Sequence, residues 1–282
     1  MRALTGKTRV AGVWGHPVGH SRSPAMHNAA LAALGLDWVY VPFDVAPESV
    51  AEAVTSVRAL NLVGVNVTVP LKETLLPFLD VIDDEAARIG SGNTLCNRDG
   101  TLYGYSTDGE GFLRSFEAAG QPTQGRRVLI LGAGGSARAV AFALASHRNH
   151  CVLANRTAER AVALAADVNC CYPEMAFTVG WGEDAGVVDL IVNTTSLGMY
   201  PNENALPALP PGVFASRPFV YDLIYAPPQT RLLALAQEAG CETMNGVKML
   251  AWQGALSLSL WTGLPISEIP VLVMEKAVWD SL

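Results

Sequence analysis

Lys72 is the residue of this chain best placed to do chemistry. It closes the run Val65-Asn66-Val67-Thr68-Val69-Pro70-Leu71-Lys72, where an apolar, β-branched stretch ends in a threonine, a proline and one amine. Such a run reads as a buried strand whose far end presents a hydroxyl and an ammonium. Given an acidic partner, an amine there can pass a proton to or from an alcohol or ketone oxygen. The plainer alternative is a lysine whose stem lies along apolar surface with its head in water. Ser21 and Ser23, in His20-Ser21-Arg22-Ser23-Pro24, sit in a hydroxyl-rich loop before a helix. With nearby backbone N–H groups they can cradle a carboxylate, or simply cap the helix. Asp108 also precedes a helix, where cap and function are both open to it. Gln253 interrupts the apolar face of a long helix, and a buried glutamine needs polar partners or a polar ligand.

A second chemistry lies in Val128-Leu129-Ile130-Leu131-Gly132-Ala133-Gly134-Gly135-Ser136-Ala137. Strand, glycine turn and helix follow one another, and Gly132, Gly134 and Ala137 satisfy G-x-G-x-x-G/A in the context that motif requires. Gly132 allows the tight turn, Gly134 lets the backbone approach a pyrophosphate, and Ala137 lets the helix pack close to the strand. The free N–H groups at the helix start then face the phosphates. The next strand ends in Asn155-Arg156-Thr157, with Arg160 one turn on, and shows no carboxylate for the ribose hydroxyls. Guanidinium and hydroxyl suit a 2′-phosphate, so NADP is expected rather than NAD. Thr157 can cap the following helix at the same time.

These residues must be positioned by alternating strands and helices. Strands are expected over 9–14, 38–43 and 62–69, with helices over 24–34, 47–60 and 71–79, then a hairpin over 93–107 turned by Asp99-Gly100. From Arg126 the alternation becomes regular. Strands at 128–131, 151–154, 188–193 and 219–223 alternate with helices at 135–146, 158–167 and 230–239, which predicts a parallel sheet with helices on both faces. Helices over 246–261 and 267–279 close the chain.

Composition limits the partners. The 282 residues carry a net charge of -7, so no basic face for nucleic acid is expected. No apolar run reaches the roughly 18–20 residues of a membrane span, and the first residues lack an apolar signal core. Five cysteines in no metal-ligand spacing read as reduced thiols of a cytoplasmic protein. The histidines are scattered, and no catalytic metal is expected. Composition leaves monomer and homodimer equally open.

Taken together, the motifs resemble the shikimate dehydrogenases of the bacterial biosynthetic type. The resemblance runs from Gly15 to about Trp261. It rests on His20 through Pro24, Asn66 through Lys72, Asn93-Thr94, Thr107-Asp108-Gly109, Gly132 through Gly135, Asn155-Arg156-Thr157, Asn193 through Met199, Tyr221 through Tyr225, and Gly246 through Gln253. It implies a two-domain α/β protein. Residues 1–107 with 246–282 would form a substrate-binding domain, 108–245 an inserted Rossmann-type NADP domain, and a cleft between them the active site. It implies reversible reduction of 3-dehydroshikimate to shikimate by NADPH, with Lys72 as acid–base residue and Asp108 orienting it. Ser21 and Ser23 would hold the substrate carboxylate, with Thr68, Asn93, Tyr225 and Gln253 joining Lys72 and Asp108 around the ring hydroxyls. Leu223, Gly246 and the 194–199 loop would approach the nicotinamide. Gly92, Ser106 and Lys248 depart from the family's usual residues, beside the site rather than on it. The competing readings are a quinate/shikimate dehydrogenase that also uses NAD, and a weakly catalytic paralogue that binds NADP or a carboxylate.

Overall fold

The structure is a computed structural model that describes residues 3–282. The chain forms two compact units, one running up to Gly111 and resuming at Leu250–Ser281, the other spanning Phe112–Met249. In chain order the first contains β1 (Arg9–Gly15), α1 (Ser23–Ala33), β2 (Trp38–Asp44), α2 (Val50–Ala59), β3 (Gly64–Val67), β4 (Val81–Ile82), α3 (Asp84–Ile89), β5 (Thr94–Arg98) and β6 (Thr101–Tyr105). The chain leaves it within α4 (Asp108–Glu117). The second contains β7 (Arg127–Leu131), α5 (Gly135–Ser146), β8 (His150–Ala154), α6 (Ala158–Cys171), β9 (Ala176–Val179), β10 (Leu190–Asn193), β11 (Phe219–Asp222), α7 (Arg231–Glu238) and β12 (Thr243–Met244). The return runs within α8 (Val247–Thr262), and α9 (Val271–Trp279) ends the chain. The chain thus passes between units inside α4 and α8, a few residues C-terminal of the breaks expected at 107/108 and 245/246.

The first sheet has the order β2-β1-β3-β5-β6-β4. β1 and β3 are parallel, and Trp14 lies opposite Val67. β5 runs antiparallel to β3, with Asn66 opposite Thr94, and Thr94 in turn opposite Tyr105 of β6. This register brings the ends of β1, β3 and β6 and the start of β5 to one edge. Beneath it lies a core of Trp14, Val65, Val67, Leu71, Leu75, Leu95 and Leu102. Each of these leucines is fully buried, worth about 1.5–3 kcal/mol apiece.

The second sheet, β12-β11-β10-β7-β8-β9, is parallel throughout. Its central strands are buried along their whole apolar length, as a sheet covered on both faces requires. The chain winds outward from β7 to β9 and then returns to place β10 on the other side of β7. With right-handed crossovers, the two halves put their helices on opposite faces. In α5 every residue from Ala139 to Ala145 is buried, and the alanines allow the close approach that the glycine turn initiates.

Several expected boundaries shift. The helix expected over 71–79 is instead a string of turns ending in a short 3₁₀ turn, Leu76–Phe78. Pro77 has no N–H to continue an α-helix, and the buried Leu71 and Leu75 hold the segment by side chains instead. The strand expected over 62–69 keeps ladder pairing only across Gly64–Val67. The stretch 47–60 opens as a 3₁₀ turn before α2, and Ile266–Glu268 does the same before α9. Caps mark α3: the Asp83 side chain accepts from Glu85 N–H, and Gly90 takes the left-handed conformation at the other end.

Candidate active site

The shared edge of the first sheet carries Lys72. Three residues past β3 the chain has turned at Val69-Pro70, and Gly92 N–H binds the Lys72 carbonyl at 2.9 Å. The Lys72 ammonium meets Asp108 Oδ2 at 2.5 Å, with side-chain exposures of only 13% and 6%. Asp108 Oδ1 accepts from Asn93 Nδ2 at 2.9 Å. The same amide reaches Thr107 Oγ1 at 2.8 Å and Gln253 Oε1 at 3.1 Å. Asn93 Oδ1 accepts the Thr107 backbone N–H at 2.8 Å. A backbone N–H only donates, so that contact fixes which way the amide points. Its NH₂ must face the carboxylate. Gln253 is oriented likewise, since its Nε2 donates to the Leu250 carbonyl at 2.8 Å and turns Oε1 toward Asn93. Among the residues expected in the site, the structure therefore joins Lys72, Asp108, Asn93 and Gln253 in one hydrogen-bonded group.

This group stands on a buried polar floor that sequence reasoning missed. Thr94 Oγ1 and Ser257 Oγ lie 2.7 Å apart, and Thr107 Oγ1 donates to the Gln253 carbonyl at 3.0 Å. Asn66 Nδ2 reaches Ser257 Oγ at 2.8 Å, while its Oδ1 accepts from the Tyr40 hydroxyl at 2.8 Å. Ser257 follows Gln253 by four residues, so the helical repeat placed it on the same face and was the available signal. Asn66 could have been found as the single polar residue in an apolar strand. Below Tyr40 the His27 ring stacks at 4.2 Å between centroids. Neither of its nitrogens has a hydrogen-bond partner. Burial pushes its pKa down to about 3, with Asn66 nearby pulling weakly the other way without reaching hydrogen-bond geometry. His27 is thus a neutral aromatic spacer rather than a proton carrier.

Ser21 and Ser23 flank Arg22 at the start of α1. Ser23 N–H approaches Ser21 Oγ at 3.3 Å, and no side chain caps this helix end. The loop that carries them leaves β1 at Gly15, where an added Cβ would press on Thr68 Cγ2. Thr68 N–H binds the Trp14 carbonyl at 2.8 Å. Both serines and Thr68 therefore arise from the same strand ends as Lys72. His16 and His20 stand four apart, but in a loop broken by Pro17 and Gly19, and His16 Nδ1 pairs with Asp44 Oδ1 at 2.8 Å. Burial pushes the Cys96 and Cys151 thiols up to about 12, which leaves neither a nucleophile at neutral pH.

In the second unit the glycine turn fits a dinucleotide. Gly132 has φ of +117°, and a Cβ there would run into Thr194 Oγ1. Gly134 has open space where a side chain would be, and the α5 N-terminus behind Gly135 and Ser136 carries no side-chain cap. Ala133 and Ala137 are buried against the sheet. At the end of β8, Asn155 Nδ2 donates to the Thr157 carbonyl at 2.8 Å. Arg156 and Arg160 are exposed. Thr157 occupies the N-cap position of α6, yet its hydroxyl caps nothing. Beyond β11, Gly246 N–H binds the Ile224 carbonyl at 3.0 Å, and a Cβ at Gly246 would collide with the Leu223 carbonyl. Tyr225 is half-buried in the same turn.

Asp222, at the end of β11, is fully buried. It accepts from Asn193 Nδ2 at 2.9 Å, Ile224 N–H at 3.1 Å and Thr230 Oγ1 at 2.6 Å. Burial nevertheless outweighs these donors and pushes its pKa from 3.8 up to about 6. A carboxyl more basic in the folded than in the unfolded chain stabilises the fold most below about pH 4. That contribution is lost as pH rises through about 6, and amounts to about 3 kcal/mol by neutrality. Asp222→Asn removes the titration. The stability difference between variant and wild type, from urea unfolding, is expected to move in the variant's favour between pH 4 and pH 7. A pH-independent difference would show that Asp222 does not titrate there.

Three family models match the chain. The shikimate dehydrogenase substrate binding domain covers residues 13–95, shikimate / quinate 5-dehydrogenase covers 116–179, and the shikimate 5'-dehydrogenase C-terminal domain covers 246–278. The curated shikimate dehydrogenase (NADP(+)) of Moorella thermoacetica is 47% identical, over 100% of this chain and 96% of its own. That of Methanopyrus kandleri is 44% identical, over 99% and 98%. A crystal structure of a shikimate dehydrogenase in complex with NADP+ superposes with a TM-score of 0.92 at 42% identity, covering 99% of this chain and 97% of that one. The Thermus thermophilus shikimate 5-dehydrogenase in complex with NADP(H) and shikimate gives 0.88 at 41%, covering 98% and 100%.

Proposed function

This chain belongs to the shikimate dehydrogenase family, and from that premise we propose how its own residues divide the work. The reaction is the NADP-dependent interconversion of 3-dehydroshikimate and shikimate, a step toward the aromatic amino acids. The first unit binds the substrate and handles its proton, and the second holds the dinucleotide. The observation that carries the assignment is the chain Lys72–Asp108–Asn93, an amine held on an oriented, nearly buried carboxylate. When bound, NADPH supplies a hydride to the ring ketone. Lys72, as ammonium, donates its proton to the oxygen that gains charge, and in the reverse direction the neutral amine takes the alcohol proton. Asp108 keeps the amine aimed. Asn93, locked by Thr107 N–H, keeps Asp108 from turning away. Ser21 and Ser23, with the uncapped start of α1, bind the ring carboxylate. Thr68, Asn93 and Gln253 of the first unit bind ring hydroxyls.

In the dinucleotide unit, the backbone from Gly132 to Ala137 cradles the pyrophosphate. Arg156, Thr157 and Arg160 with Asn155 take the 2′-phosphate, while Leu223 and Gly246 border the nicotinamide. All five cysteines are free thiols, which supports a reducing, cytoplasmic setting. Among the described residues no helix is long and apolar enough to cross a membrane.

The direct test is absorbance at the reduced-nicotinamide band with shikimate and NADP+, then with NAD+. Arg156→Ala is expected to raise KM for NADP+ about tenfold, the worth of one charge-assisted contact, and to leave KM for NAD+ where it was. An equal change for both cofactors would remove the 2′-phosphate role.

A further inference from the structure

We propose that Asp222 is a positioning residue for the nicotinamide end of the dinucleotide, tying together the turns that leave β10 and β11. The inference rests on the dinucleotide reading of the glycine turn. In open parallel sheets a ligand binds outside the carboxyl ends of the strands, where the strand order reverses. In this sheet the reversal lies between β7 and β10, and Asn193 and Asp222 are the last register pair of β10 and β11.

From that place one carboxylate reaches three segments. Through Asn193 it holds the turn after β10, because Asn193 Oδ1 in turn accepts Thr195 N–H at 3.1 Å and Thr195 Oγ1 at 2.8 Å. Thr194, held within this turn, donates through Oγ1 to the Leu131 carbonyl at 2.7 Å, directly against Gly132. Through Ile224 N–H it holds the turn after β11, whose Ile224 carbonyl receives Gly246 N–H. Through Thr230 Oγ1 it anchors α7, where the same hydroxyl caps Leu233 N–H at 3.3 Å.

The residue type follows from the donors. Three N–H or O–H groups converge, and a carboxylate is the side chain that only accepts. A buried carboxylate costs stability that an apolar residue of similar size would not. What it supplies is a fixed direction for Asn193 and Ile224, and through them for the backbone at Thr194, Leu223 and Gly246. None of these contacts would be needed merely to fill the core, which Val220, Leu232 and Leu233 already do.

The test uses the full chain as wild type, Asp222→Asn, Asp222→Ala, Asn193→Ala and the double alanine variant. Dissociation constants for NADP+ and for shikimate are measured separately by calorimetry, with melting temperatures alongside. Both alanine variants are expected to bind NADP+ about tenfold more weakly, the scale of one lost buried hydrogen bond, and Asn193→Ala, which leaves the Ile224–Tyr225 turn untouched, should keep its shikimate affinity. The double variant should be no worse than the weaker single one, since both cut the same link. Asp222→Asn keeps an acceptor for Asn193 and Ile224 and should bind close to wild type. If Asp222→Ala does not fold, Asn193→Ala carries the comparison. Lower melting temperatures with undiminished NADP+ affinity would make Asp222 a structural residue only and overturn the inference. A wild type that binds shikimate but no NADP+ would instead overturn the dinucleotide reading beneath it.

Discussion

Lys72→Met is expected to lower kcat by about 10²- to 10⁴-fold, the usual worth of a general acid–base group, while KM for shikimate changes little. Methionine keeps the length and the apolar stem but carries no proton. The variant should be less stable, because the Asp108 carboxylate, 6% exposed, loses its ammonium partner and keeps only neutral donors such as Asn93, so rates are measured well below its melting temperature. A fall in kcat and in kcat/KM together, without a change in KM, is the signature of an interaction made in the transition state alone. Lys72→Arg sharpens the test. Arginine restores positive charge beside Asp108, but a guanidinium does not lose its proton at any working pH. If charge is what matters, arginine recovers much of the rate. If proton transfer matters, it does not. Near-normal kcat in folded Lys72→Met would mean the proton comes from elsewhere.

Asn93→Ala is expected to cost about 3–5 kcal/mol of stability, because several buried groups lose partners worth about 1–3 kcal/mol each. Thr107 N–H loses its acceptor, and Asp108 Oδ1 and Gln253 Oε1 lose their donor. The surroundings are 2–8% exposed, so water does not readily replace these bonds. Activity should fall beyond what unfolding accounts for, since Asp108 is then free to rotate away from Lys72. Asn93→Asp separates the two effects. It preserves shape and the acceptor for Thr107 N–H, but sets a carboxylate against the Asp108 carboxylate. A folded protein with kcat reduced about tenfold or more is the expected outcome. Urea unfolding and steady-state rates on the same preparations check both. An Asn93→Asp enzyme as fast as wild type would remove Asn93 from the positioning of Asp108.

These two residues also mark how far the sequence could be read. Lys72 stands out locally, as a lone amine after an apolar strand and a proline, and the glycine turn at Gly132–Ala137 stands out because its meaning lies in backbone sterics over a dozen residues. Asn93 shows nothing local. Its role depends on Thr107, Asp108 and Gln253, which lie 14, 15 and 160 positions away. Asn66 and Ser257 are separated by 191 positions and still share a hydrogen bond. The segment 71–79 reads as a helix because its leucine spacing favours one, while Pro77 and the turn at Pro70 forbid it.

The sequence by itself determined which chemistry is available: a strand-end amine, a hydroxyl-rich loop ahead of a helix, a glycine turn shaped for phosphates and an arginine where a carboxylate would select NAD. All of these follow from side-chain type and from the short-range geometry of the backbone. Only the tertiary structure decided which of the 26 carboxylates meets Lys72. Antiparallel pairing of β3 with β5 and of β5 with β6 carries Asn93 and Asp108 to the end of β3, and α8 closes over them with Gln253 and Ser257. Such contacts are set by strand register and by close packing around buried polar groups. A shift of one residue in that register would turn the same side chains to the opposite face of the sheet.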